Sequence, residues 1–199
     1  MINKIIYLFS QIQGRRPTVI EGMKVEIRLL DEEVLCRGRR VTLYSRRYWV
    51  EGREVVRDVV HFGESVAIVP VKENGKIVLI RQFRAPIGRW IIEVPAGRVE
   101  EGEDWRSAAT RELEEETGYN AAHVKKLAST YVSPGYSDEI VHITLAEELV
   151  YVGGHPESSE VIEIIEISYE KVLEYIYKGI INDAKTIIAL LLYSKSKTY

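Results

Sequence analysis

Apolar and polar positions alternate in the first third of the chain. Val25, Ile27 and Leu29 alternate within Lys24–Leu30, and the two-residue period predicts a half-buried strand. Arg39 to Val50 and Arg53 to His61 read as two further strands joined by a turn at Glu51-Gly52. Met1 to Gly14 reads as a short helix broken by Gly14–Pro17. From Ser65 onward the apolar positions cluster instead. Val66–Val71 and Lys76–Gln82 are apolar runs on either side of Asn74-Gly75, which predicts a hairpin. Trp90–Val94 is a short strand ended by Pro95-Ala96-Gly97, and Asp104–Thr117 is a helix closed by Gly118. Strands are expected at Val124–Val132, Glu139–Glu147 and Val161–Ile167. Ser168 caps a helix ending at Gly179, and Asn182 or Asp183 caps a last one through Tyr193. Strands alternating with three helices predict an α/β (α+β) chain, a mixed β-sheet sandwiched between helices. A small antiparallel β module (1–57) precedes the main domain (58–199).

Charge refines this picture. The chain of 199 residues has a net charge of -3, so a strongly basic nucleic-acid footprint is absent. Residues 1–60 carry +4, whereas the short block 97–119 carries -5. The single cysteine, Cys36, allows no intrachain disulfide and fits a reducing compartment. The apolar stretch Ile5–Phe9 is too short for a secretory signal, and no run approaches the ~18 apolar residues of a membrane span. The cytoplasm is the expected location. His61, His123, His142 and His155 lack metal-ligand spacing, so zinc is not expected.

The acidic block holds the candidate chemistry. Glu112, Glu115 and Glu116 lie at i, i+3 and i+4 and share one helix face. Like charges there repel, and a hard divalent cation would reverse the sign, because Mg²⁺ takes carboxylate oxygens, water and phosphate. Trp105, Ala109 and Leu113 form a separate apolar stripe for packing. Arg111 can brace a carboxylate from the side, and Gly97 leaves the backbone free for an unusual turn.

The full run from Gly97 to Tyr119 resembles the Nudix box, G-x5-E-x7-R-E-U-x-E-E-x-G-U, through Gly97, Glu103, Arg111, Glu112, Leu113, Glu115, Glu116 and Gly118. Only Tyr119 departs, being aromatic where the pattern has an aliphatic residue. Chance coincidence of the fixed positions is on the order of 10⁻⁷ per chain of this size. Ile80–Arg84, Glu93–Gly97, Tyr131–Glu139 (with Pro134 fifteen residues past Tyr119) and Lys178–Ala184 are similar to the ADP-ribose pyrophosphatase subfamily. The resemblance covers roughly residues 61–195.

This resemblance implies a Nudix fold and Mg²⁺-dependent cleavage of ADP-ribose to AMP and ribose 5-phosphate, with Mn²⁺ as a possible substitute. Glu112 and Glu116 would be metal ligands, Glu115 would ligate or position water, and the Ala96 carbonyl would complete the shell. Arg111 and Glu103 would orient the box. The general base would come from the loop Gly153–Glu160, as Glu160 or, alternatively, Glu157. Arg84, and more weakly Arg81, would contact phosphate, and Glu139 the terminal ribose. Trp49, Tyr48 or Tyr44 could stack on a purine or simply pack in the core. The basic module would either extend a sheet or swap across a homodimer. The implied partner is a small nucleotide sugar, with neither nucleic acid nor membrane. Other readings are the same chemistry on ADP-glucose, GDP-mannose or a dinucleotide, and a nucleotide sensor that does not cleave.

Overall fold

A computed structural model describes residues 26–154 and 161–196. The helix expected at Met1–Gly14 and the candidate bases Glu157 and Glu160 lie outside these residues. The chain divides into two compact units between His61 and Phe62.

The first unit is an antiparallel sheet of β1 (Ile27–Arg37), β2 (Thr42–Val50) and β3 (Arg53–His61), in the order β1-β2-β3. Its second turn carries positive φ at both Glu51 (46°) and Gly52 (86°), the conformation whose twist suits a two-residue hairpin. The alternation in the sequence ends at Leu30, yet β1 runs on through Asp31, Glu32 and Glu33. Arg47 meets Asp31 at 3.1 Å, and Arg46 pairs with Glu32. These cross-strand ion pairs let polar residues continue the ladder.

The second unit contains β4 (Glu64–Pro70), β5 (Ile77–Arg84), β6 (Arg89–Glu93), β7 (Ala96–Arg98), β8 (Tyr119–Tyr131), β9 (Ile140–Tyr151) and β10 (Ile162–Ile167). Its helices are α1 (Trp105–Thr117), α2 (Tyr169–Tyr177) and α3 (Ala184–Ser196). Two sheets form: a mixed one ordered β7-β4-β9-β8, with β4 and β9 parallel, and an antiparallel one ordered β10-β5-β6.

The turn at Asn74-Gly75 forms, with Lys72 N–H bonded to the Lys76 carbonyl at 2.9 Å. The expected β4–β5 ladder does not, because the two strands enter different sheets and share only a bridge between Val71 and Ile77. The reason is burial. Val66–Val69 and Ile77–Ile80 are shut off from solvent on both faces, so each strand is an inner strand of its own sheet.

Alternate side chains of the mixed sheet feed two cores. Val66 and Ile68 pack with Ala108, Ala109 and Leu113 of α1. Ala67, Val69, Ile143 and Leu145 pack with β5, α2 and α3. The mixed sheet is therefore sandwiched between helices, which holds α1 firmly against β4. Asp104 caps α1 by accepting the Ser107 N–H, and Gly118 ends it at φ 73°. Ser168 caps α2, and Asp183 accepts the Thr186 N–H at the start of α3.

Candidate active site

The site is assembled where β7 runs beside α1. The three residues Ala96–Arg98 pair with β4 and bring Gly97 under the middle of the helix. A methyl group built on Gly97 would overlap the Glu112 carboxyl group, so only glycine lets this carboxylate lie against the strand. One helical turn further on, Glu116 is 5% exposed and accepts the Ala96 N–H at 2.9 Å. This bond draws the Ala96 peptide and the Glu116 carboxylate into one place.

Arg111 organises the remaining acids. It donates to Glu112 at 2.7 Å, to Glu115 at 3.1 Å, to both oxygens of Glu103 at 3.1 and 3.0 Å, and to the Arg98 carbonyl at 2.9 Å. The Glu103 bonds are the largest cause holding the guanidinium well above its ordinary range, and Glu112 adds to it. In return the Arg111 bonds hold the Glu103 carboxyl below its usual range. Glu103 also accepts the Glu100 N–H and so pins the turn before the helix. Arg111 and Glu103 are therefore placed to hold the box in shape.

Ala96, Arg111, Glu112, Glu115 and Glu116 are thus brought together. The donors are hard oxygens on a backbone cradle that a Cβ would fill, which fits a hard divalent cation rather than a thiophilic metal. Among the described residues no three acid, histidine or cysteine side chains already converge in metal-binding geometry. Arg111 draws on Glu112 and Glu115, while Ala96 holds Glu116.

The other expected contacts are distributed. Arg84, at the end of β5, makes a two-pronged bond to Glu93 at 2.7 and 3.0 Å. Burial pushes this guanidinium down, but the bonds and charge of Glu93 outweigh it, with help from Glu116 and Asp183, and its pKa lies above the ordinary value. Glu139 stands just before β9 and accepts the Ser65 hydroxyl at 3.1 Å. Ser65 is paired with Arg98, so Glu139 lies near the start of the box. Arg81 is held by Glu163 at 2.8 Å and lies over the Trp90 ring at 4.6 Å, on the surface. Trp49 is half-buried on β2, opposite Arg28 and Glu54. Tyr44 packs edge-on against His61.

Sequence reasoning missed the buried network around Glu93. That carboxylate is fully buried and is met by Lys185 as well as Arg84. Lys185 also bonds Asp183 at 3.0 Å, and Thr186 receives the Val94 N–H. Two signals pointed to it. A glutamate following Ile91-Ile92 and preceding Val94 needs a cation partner if buried. A lysine in the first turn of α3 opposes the helix dipole unless it is paired elsewhere.

The NUDIX domain model matches residues 61–190. The chain belongs to the NUDIX family. Its family members generally use divalent metal ions. Among curated proteins, this NUDIX chain is 38% identical to the ADP-ribose pyrophosphatase of Bacillus subtilis, over 83% of the chain and 91% of that protein. It is 38% identical to the methanol dehydrogenase activator of Bacillus methanolicus, over 85% of the chain and 93% of that protein. Identity to the GDP-mannose pyrophosphatase of Salmonella typhimurium is 33%, over 84% and 95%. A crystal structure of an ADP compounds hydrolase shares the fold, with a TM-score of 0.77 and 23% identity over 85% of this chain and 93% of the other.

Proposed function

We propose that this NUDIX chain hydrolyses the pyrophosphate bond of ADP-ribose, ADP-ribose and water giving AMP and ribose 5-phosphate. The observation that carries the reading is the acidic cradle itself. Glu112 lies on Gly97 and Glu116 is tied to Ala96, the residue just before the box. The 38% identity to an ADP-ribose pyrophosphatase supports the substrate.

Glu112, Glu116 and the Ala96 carbonyl would hold Mg²⁺, with Mn²⁺ as substitute. Once bound, such an ion supplies charge neutralisation on the pyrophosphate and a more acidic water. Glu115 orients water, and Arg111 keeps Glu112 and Glu115 in register. Glu160, two residues before β10 along the chain, takes the proton of the attacking water, with Glu157 as the alternative. Arg84 uses two of its N–H groups on Glu93, which fixes the guanidinium plane and leaves donors for a phosphate oxygen. Arg81 is a weaker phosphate contact. Glu139 receives a ribose hydroxyl, and Trp49 offers a face for the purine. The protein works as a cytoplasmic homodimer.

GDP-mannose is the second reading, favoured by the 33% identity to a GDP-mannose pyrophosphatase. Product analysis on ADP-ribose, ADP-glucose and GDP-mannose separates the two. The expected result is AMP from ADP-ribose, abolished by a chelator. GMP from GDP-mannose at a higher kcat/KM favours the second reading.

A further inference from the structure

Glu93 ends β6 fully buried, and two cations meet it. Arg84 donates to it from Nε at 2.7 Å and from Nη2 at 3.0 Å, which leaves Nη1 as a donor for another group. Lys185 donates to the same Glu93 oxygen as Nη2 and, at 3.0 Å, to Asp183. Two carboxylates and two cations therefore balance, and the lysine is needed for the balance.

Lys185 is out of place for its own element. It lies in the first turn of α3, where a cation opposes the helix dipole. Its side chain is only 17% exposed. Helix stability gives no reason for a charge here, whereas the buried Glu93 does. The same turn also reaches the acidic cradle. Thr186 is fully buried, and its hydroxyl donates to Asp183 at 2.6 Å and accepts the Val94 N–H at 3.0 Å. Two residues after Val94, the Ala96 N–H meets Glu116. The charge of Glu116 acts on Arg84 as well. The group thus connects α3 to the cradle through Arg84 and through the backbone from Glu93 to Ala96.

Without Lys185, one guanidinium would face two carboxylates shielded from water. Its charge would be taken up inside the protein, and an anion approaching it would meet a net negative group. We infer, on the reading that Arg84 contacts phosphate, that Lys185 is a positioning residue for the pyrophosphate. Its ammonium group neutralises Asp183 and shares Glu93, so Arg84 stays fixed in one plane and positive towards an anionic substrate.

Steady-state kinetics of Lys185→Met tests this, since methionine keeps the length of the side chain and removes the charge. The substrate is whichever of ADP-ribose and GDP-mannose the wild type cleaves faster, so the outcome does not depend on the nucleotide. KM is expected to rise about tenfold, the order of one charge-assisted hydrogen bond, with kcat within about threefold of the wild type. Lys185→Gln should give the same split if the methionine variant is poorly folded. Arg84→Gln should raise KM at least as much. A lower melting temperature with an unchanged KM in the lysine variants would mark a merely structural strut and overturn the inference. If the wild type cleaves neither substrate, or Arg84→Gln keeps the wild-type KM, the phosphate reading falls and the inference with it. If Arg84→Gln raises KM and the lysine variants do not, the inference alone falls.

Discussion

Gly97 shows how a single side chain, by its absence, shapes the centre. Glu112 occupies the space that a Cβ would take, so an added Cβ would turn the carboxylate out of the cradle and away from Arg111, which holds it at 2.7 Å. Gly97→Ala should therefore lower kcat at least about tenfold and raise the metal requirement. The displaced atoms are the flexible end of a side chain, so thermal stability should change little while activity falls. Gly135→Ala is the control, since nothing lies within 4 Å of its added Cβ. Steady-state kinetics with a metal titration and thermal melts check the pair, and equal kinetics of the two would contradict the cradle. At this scale the sequence was informative where contacts are local. Glu112, Glu115, Glu116 and Arg111 share one helix, so their spacing carried their geometry. Arg84 and Glu93 are nine residues apart and meet only because β5 pairs with β6, and Lys185 joins from another helix. No spacing rule along the chain encodes such a meeting.

The elements follow the hydrophobic pattern until polar pairing or sheet membership takes over. α1 was legible to within one residue, Asp104 proving to be its cap and not its first residue, because Asp104 and Gly118 punctuate it. β7 was not, because Ala-Gly-Arg has no apolar signal and exists as a strand only through its pairing with β4. β8 and β9 run beyond their apolar segments, as the ladder from Tyr119–Tyr151 through Tyr131–Ile140 continues through exposed residues. The Lys72–Tyr119–Glu166 cluster joins the two sheets, and its bonds, Lys72 first and Tyr119 next, hold the Glu166 carboxyl below its ordinary range. A carboxylate depressed on folding binds fewer protons in the folded chain, so its contribution is complete above the unfolded value of about 4.3 and is lost as pH falls below it. Urea midpoints of wild type and Glu166→Gln should thus differ by a constant amount from pH 7 to 5 and converge as pH is lowered further. A gap that widens in acid would contradict this placement.

At the scale of the whole molecule, two units divide the work. The second holds both cores and the acidic cradle. The first is a three-stranded sheet that leaves Ile27, Leu35 and Val56 about half exposed, at 45%, 49% and 55%. Apolar strand surface of this kind calls for cover, which a second copy would supply. Sedimentation equilibrium at micromolar concentration should give twice the chain mass of 22.8 kDa, and a monomer would contradict the proposed homodimer. Fold class and box were legible because both are written in contiguous segments. The proposed phosphate and ribose contacts were less so, since Arg84 ends β5 while Glu139 stands before β9, two elements far apart along the chain. The central claim remains that the cradle on Gly97 is a metal-dependent pyrophosphatase centre. The most direct measurement is the rate of AMP release from ADP-ribose by the purified protein, with Mg²⁺ and after chelation. Rapid AMP and ribose 5-phosphate formation that stops on chelation and returns on readdition of Mg²⁺ is the predicted result. Hydrolysis indifferent to chelation, or no hydrolysis of any nucleoside diphosphate sugar with the metal present, would contradict it.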